Sequence, residues 1–143
     1  SYNSVKNIYF ESDIKIENGK YIHLFPKDNI INNVAVLNQV SRSYSKSNSL
    51  LSISVIGHDL KDKLDINQLI KKLVNYFGGN DSNYEWVKSF DIKNATIKQN
   101  TNFFDSNTFS PTKGFIIAGD HSVYGSIEGA VLSGINASKK ILN

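Results

Sequence analysis

An α+β fold is expected of these 143 residues: an antiparallel sheet of about four to five strands with a covering helix, then a C-terminal strand–turn–helix. Three observations predict it. Several short segments before residue 98 are apolar and β-prone or alternate apolar with polar residues, the period of half-buried strands. Residues 65–78 repeat apolar side chains at helical spacing and end on Gly78-Gly79. Residues 114–142 then change character, with a continuous apolar run closed by Gly119-Asp120 and followed by a second helical pattern. On this reading the chain divides into residues 1–112 and 113–143.

Residues 5–16 read as the first strand. Asn18-Gly19 is a two-residue hairpin signal, because both positions tolerate positive φ. Residues 21–25 form the return strand, stopped by Pro26. Residues 34–40 read as a third strand, and residues 41–49, with five Ser in nine positions, as a polar connection. In residues 50–56, Leu51, Ile53 and Val55 point one way, and Ser52 and Ser54 the other. These turns and spacings predict a four-stranded antiparallel meander.

Asp65 precedes a helix whose apolar stripe is Ile66, Leu69, Ile70, Leu73, Val74 and Phe77, and Gly78-Gly79 stops it. Residues 86–97 read as another extended segment and residues 98–112 as a polar surface crossing. Residues 114–119 are apolar on both faces, as in a central parallel strand. Such a strand needs neighbours, so it is expected to pair with the antiparallel sheet, another subunit or a further domain. The final helix runs from about Ser126 to Leu142.

Composition bounds the function. Apolar residues make up 40% and charged residues 20%, which is ordinary for a folded domain. The net charge is +3, but Arg42 is the only Arg and there is no basic run, so nucleic acid is not an expected partner. Without Cys there is no disulfide, thiolate nucleophile or Cys-based metal site, and a reducing, cytoplasmic compartment fits. No apolar run approaches the ~20 residues of a membrane span. The chain begins at Ser1 and contains no Met, as expected of a processed or engineered start.

The chemistry is concentrated in residues 118–134. Gly119 allows close backbone approach at a strand end, and Asp120 stands at the carboxyl end of that strand, where ligands bind in open α/β sheets. Gly125 permits a tight turn, Ser126 is a good N-cap, and Glu128 in the first turn suits the helix dipole. The free N–H groups of that turn favour a partly negative acceptor. Ala130, Ser133, Gly134 and Ala137 form a stripe of small residues. Gly129 and Gly134 each cost the helix about 1 kcal/mol relative to Ala, so a close approach is the natural reason for them. A helix packed tightly on a sheet with no ligand is the plainer reading.

Ala118-Gly119-Asp120, then Gly125-Ser126-Ile127-Glu128-Gly129-Ala130 and Ser133-Gly134, resembles the C-terminal flavin motif of the flavin amine oxidase and phytoene desaturase superfamily, A-G-D followed by G-S-[IL]-x-G-A-x-x-S-G. The resemblance implies FAD as cofactor. Asp120 would bond its ribityl or pyrophosphate part, and the backbone at Ser126 and Ile127 would face the flavin pyrimidine edge. Gly129 and Ala130 would keep side chains off the cofactor. Residues 1–112 would then be substrate-domain-like and residues 113–143 part of an incomplete FAD-binding α/β domain. The segments around Asn32, Leu50, Tyr76 and Trp86 resemble a phytoene desaturase-like branch more loosely. Ala95-Thr96-Ile97 stands where that branch carries Ala-Leu-Pro.

The family's G-x-G-x-x-G fingerprint, which cradles the pyrophosphate, is not found here, since Gly78-Gly79 follows a helix. The implied reading is therefore the C-terminal portion of an FAD-dependent oxidoreductase acting on an apolar or amine-type small-molecule substrate. Its partner would be an N-terminal FAD-binding segment or a second subunit, and the chain alone would be inactive. The alternative is a self-standing, cofactor-free binding or interaction domain derived from that fold. Other candidates are weaker. His23, His58 and His121 lack ligand spacing, so no metal site is expected, although His121 adjoins Asp120. No Ser-His-Asp set stands in an elbow sequence. Tyr76, Phe77, Tyr84 and Trp86 read as sealing the helix on the sheet, Tyr44 and Trp86 as candidate substrate-lining residues, and Phe103-Phe104 as a contact with another segment or subunit.

Overall fold

The computed structural model describes residues 1–17, 19–56, 64–99 and 115–142. Among the described residues, five strands form one antiparallel sheet in the order β2-β3-β4-β1-β5. They are β1 (Tyr2–Ser12), β2 (Ile22–Leu24), β3 (Ile31–Val36), β4 (Ser49–Ile56) and β5 (Tyr84–Ile97). The α-helices among the described residues are α1 (Leu37–Val40), α2 (Ile66–Phe77) and α3 (Ile127–Leu142). The fold class is α+β, as the sequence predicts. The residues fall into two compact units, Asn3–Ala95 and a second made of Ser1–Tyr2 with Thr96–Asn143.

In the larger unit one sheet face and α2 enclose the core. Ile8 and Phe10 of β1, Val34 and Val36 of β3, and Leu51, Ile53 and Val55 of β4 are buried in one cluster with Leu69 and Leu73 of α2. These are the alternate positions on each strand, and on α2 they are four residues apart. The caps of α2 are those the sequence predicts. The Asp65 carboxylate accepts from Asn67 N at 2.9 Å, and Gly78, at φ 87°, donates to the Val74 carbonyl.

The meander is corrected. β1 pairs with β4, placing Ile8 opposite Ile53, while β2 pairs with β3, placing His23 opposite Val34. Gly19 does take a positive φ of 74°, but no β1–β2 hairpin forms. Strand length explains this. A three-residue β2, with Ile22 and Leu24 exposed, suits a sheet edge, whereas the eleven-residue β1 with its buried Ile8 and Phe10 requires neighbours on both sides. On its other side, Tyr9 meets Phe90 edge to face and Lys6 pairs with Asp91 at 3.3 Å.

The third strand is also corrected. It begins at Ile31, with a bulge between Ile31 and Asn33, and gives way to α1 after Val36. Side chains hold that helical turn in place: Leu50 N donates to Asn38 Oδ1 at 2.9 Å, and Gln39 Nε2 donates to the Ile16 carbonyl at 3.0 Å. Residues 115–118 form no strand among the described residues, because an apolar run becomes a strand only where a neighbour supplies its ladder. Gly114, His58, Phe103-Phe104 and most of the expected crossing lie outside the described residues.

One polar cluster ties the loop after β2 to α2. The Asp28 side chain is 1% exposed. It accepts from Lys72 Nζ at 2.8 Å, from the Tyr76 hydroxyl, and from the backbone N–H groups of Ile30 and Ile31 at 2.7 and 2.9 Å. Burial alone would raise this carboxyl. Its four donors together outweigh burial and hold it well below the usual carboxylate range. The Tyr76 phenol is raised by its hydrogen bond to Asp28 and by burial.

Candidate functional site

The motif residues lie in the smaller unit, at the start of α3 and in the corner before it. Ser126 is the N-cap, as its sequence position suggests. Its Oγ accepts from Gly129 N at 2.9 Å and its carbonyl accepts from Ala130 N at 3.0 Å. Two first-turn donors remain, Ile127 N–H and Glu128 N–H, with no hydrogen-bond partner among the described residues. They open onto a solvent-facing surface: Gly125, Ser126 and Glu128 are exposed and the Ile127 side chain is 88% exposed. Helix polarity concentrates positive potential at these donors. Replacing Ser126 by Ala is expected to cost about 1 kcal/mol, measured as faster amide exchange in the first turn of α3.

Gly119 and Asp120 are fastened to the side of the same helix. Gly119 N–H donates to Ser133 Oγ. The Gly119 carbonyl accepts from Ser122 N at 3.1 Å and from Ser122 Oγ at 2.7 Å, and Asp120 opens a 3₁₀ turn through Ser122. The Asp120 carboxylate has no hydrogen-bond or ion-pair partner among the described residues. His121 folds back so that a Cβ on Gly119 would lie 2.5 Å from its Cε1.

The small-residue stripe divides. Gly129, Ser133 and Ala137 are the buried positions of α3, while Ala130 is exposed and a Cβ at Gly134 would meet nothing within 4 Å. The close approach at Gly129 is made by the chain itself, since a Cβ there would lie 1.9 Å from the Tyr124 carbonyl oxygen. Tyr124 is a participant that sequence reasoning missed. Desolvation, then a hydrogen bond to Glu128, raises its phenol. The signal was its i, i+4 spacing to Glu128.

The remaining candidates lie elsewhere. His23 sits in β2, its ring 5.4 Å from that of Phe77, with Nε2 buried and unpartnered among the described residues. Trp86 is half-exposed and donates to Ser89 Oγ at 2.9 Å, and Tyr44 is exposed in the loop after α1. Among the described residues, no group of three or more His, Asp or Glu side chains is placed to hold a metal ion. No described helix is long and apolar enough to cross a membrane.

By fold, this is an α+β protein in which, among the described residues, two first-turn donors of the motif-bearing helix and the Asp120 carboxylate have no partner. By sequence, it belongs to the flavin-containing amine oxidoreductases: that family's model matches residues 1–142. No curated protein matches the chain. Family membership gives it a flavin-dependent oxidoreductase origin and implies a flavin in the intact protein.

The corner is chemically compatible with that cofactor. Two N–H groups without a partner among the described residues suit an electron-rich heterocycle edge, and a carboxylate likewise without one suits hydroxyl donors. Gly125 and Ala130 are exposed and carry no bulky side chain of their own, while the Ile97 side chain lies against Gly125, with Cγ1 2.9 Å from where a Cβ would stand.

Proposed function

We propose that these residues form the substrate-side sheet and the flavin-facing corner of an FAD-dependent oxidoreductase that moves a hydride from an apolar or amine-type substrate. The observation that carries this reading is the Ala118-Gly119-Asp120 and Gly125–Ala130 motif around the start of a helix capped by Ser126, whose Ile127 and Glu128 N–H groups have no partner among the described residues. FAD would supply the two-electron chemistry, and the protein would supply orientation and electrostatics.

The roles of the residues follow from their chemistry. Ile127 N–H and Glu128 N–H would donate to the pyrimidine edge and stabilise negative charge there. Asp120 is an acceptor, so ribityl hydroxyls suit it better than pyrophosphate oxygens, which are themselves acceptors. Pyrophosphate contacts would come from a segment or subunit outside residues 1–143. The family match and the motif both support this reading over a cofactor-free domain.

Two measurements test it. The full chain titrated with FAD should show weak binding or none by flavin fluorescence and visible absorbance. Tight stoichiometric binding would overturn the need for outside pyrophosphate contacts. In the intact flavoprotein, Asp120→Ala should weaken FAD retention by about 1.5–3 kcal/mol, the value of a charge-assisted hydrogen bond. Unchanged retention would remove Asp120 from the site.

A further inference from the structure

The larger unit contains a polar cavity of about 650 Å³ lined by Lys15, Glu17 and Lys20 and by the α1–β4 segment. We infer that this cavity is a binding site for a compact, multiply charged phosphate-type anion, recognised chiefly by Arg42, Lys46 and Lys20. The volume falls within the usual range for small-ligand sites. Its lining is unlike an apolar ligand pocket, with Val40 the only apolar side chain among the described residues that line it. Among the described residues, Lys15, Lys20, Arg42 and Lys46 line it against one carboxylate, that of Glu17. Lys15 is paired with Glu17, while Lys20, Arg42 and Lys46 have no ion-pair partner among the described residues. The chain's only Arg is among them, and a guanidinium offers a fork of donors that matches phosphate oxygens.

Hydrogen bonds between distant residues fix part of the lining. Ser49 Oγ accepts from Ile16 N at 3.0 Å and donates to the Ile14 carbonyl at 2.8 Å. Asn38 and Gln39, also in the lining, make the bonds to Leu50 and Ile16 described above. The backbone walls are thereby held together before any ligand arrives, while the cationic heads stand on exposed residues. Preorganised walls lower the entropy cost of binding. Three cations with no ion-pair partner among the described residues repel one another around one concavity, and a polyanion relieves that repulsion. The inference rests on the larger unit alone and is independent of the flavin reading.

Titration of the full chain with inorganic tripolyphosphate at low ionic strength should show saturable, one-to-one binding that weakens as salt is added. Arg42→Gln with Lys46→Gln should reduce affinity by at least about tenfold, roughly the loss of one charge-assisted hydrogen bond. Both residues are exposed, so the thermal midpoint should hold. For the unaltered chain, backbone amide shifts during titration should concentrate in residues 38–49. Vesicles containing phosphatidylinositol bisphosphate distinguish sources: co-sedimentation abolished by tripolyphosphate would assign a lipid headgroup, and its absence alongside tripolyphosphate binding a soluble anion. Absence of saturable binding, unchanged affinity in the double variant, or shifts centred on α3 would each overturn the inference.

Discussion

Replacing Asp28 by Asn should destabilise the protein by about 2–3 kcal/mol, lowering the thermal midpoint by about 10 °C for a domain of this size. The carboxylate is 1% exposed and accepts four hydrogen bonds, two from the backbone just before and at the start of β3 and two from α2. Asn keeps the size but loses the charge, and its amide turns donors toward donors. Lys72 retains some solvent access, at 23% exposure, which keeps the cost below that of a fully buried broken pair. Denaturant unfolding should show a lower midpoint with an unchanged slope. The same carboxylate sets a pH dependence. Its folded pKa is lowered, so its contribution is full above the ordinary carboxylate range near pH 4 and is lost as pH falls toward the folded value. The stability gap between the native protein and the Asp28→Asn variant should therefore narrow on acidification. A gap that stayed constant down to about pH 2 would mean that the charge of Asp28 is not what stabilises the loop.

Gly129→Ala is the second large effect, and its sign runs against helix propensity. In an open helix position Gly→Ala stabilises by about 1 kcal/mol. At Gly129 the added Cβ would lie 1.9 Å from a backbone carbonyl oxygen, that of Tyr124. A backbone atom cannot swing aside as a side-chain tip can, so the start of α3 must shift. Overpacking of this kind costs about 1–3 kcal/mol. Gly134→Ala on the same helix is the internal control, because its Cβ meets nothing within 4 Å and should stabilise α3 by about 0.5–1 kcal/mol. Amide exchange across residues 127–142 reads both changes. Equal protection in the two variants would show that the Tyr124 contact does not govern the helix start.

Legibility followed the range of the interactions. Helix α2 was readable because its stripe, its Asp65 cap and its Gly78 stop all lie within fourteen residues. The alternation of β4 was readable for the same reason. The partner of β1 was not, since Asn18-Gly19 is a local turn signal, whereas pairing with β4 depends on strand length and on burial of Ile8 against residues more than forty positions away. The conversion of residues 37–40 from expected strand to α1 has a similar origin. They continue the β-prone Val34-Ala35-Val36 run, but Asn38 and Gln39 are held by Leu50 and Ile16.

The flavin motif is linear, so the sequence alone could carry family membership, the Ser126 cap and the open first turn of α3. It could also specify which segments are amphipathic, because periodicity is a property of neighbours along the chain. The tertiary structure decided what those segments meet. It ordered the sheet, buried Asp28 beneath Lys72 and Tyr76, gathered Lys20, Arg42 and Lys46 around one cavity, and made Tyr124 the reason for Gly129. Each of these depends on the close approach of chemical groups, which is set by the packing of the whole unit.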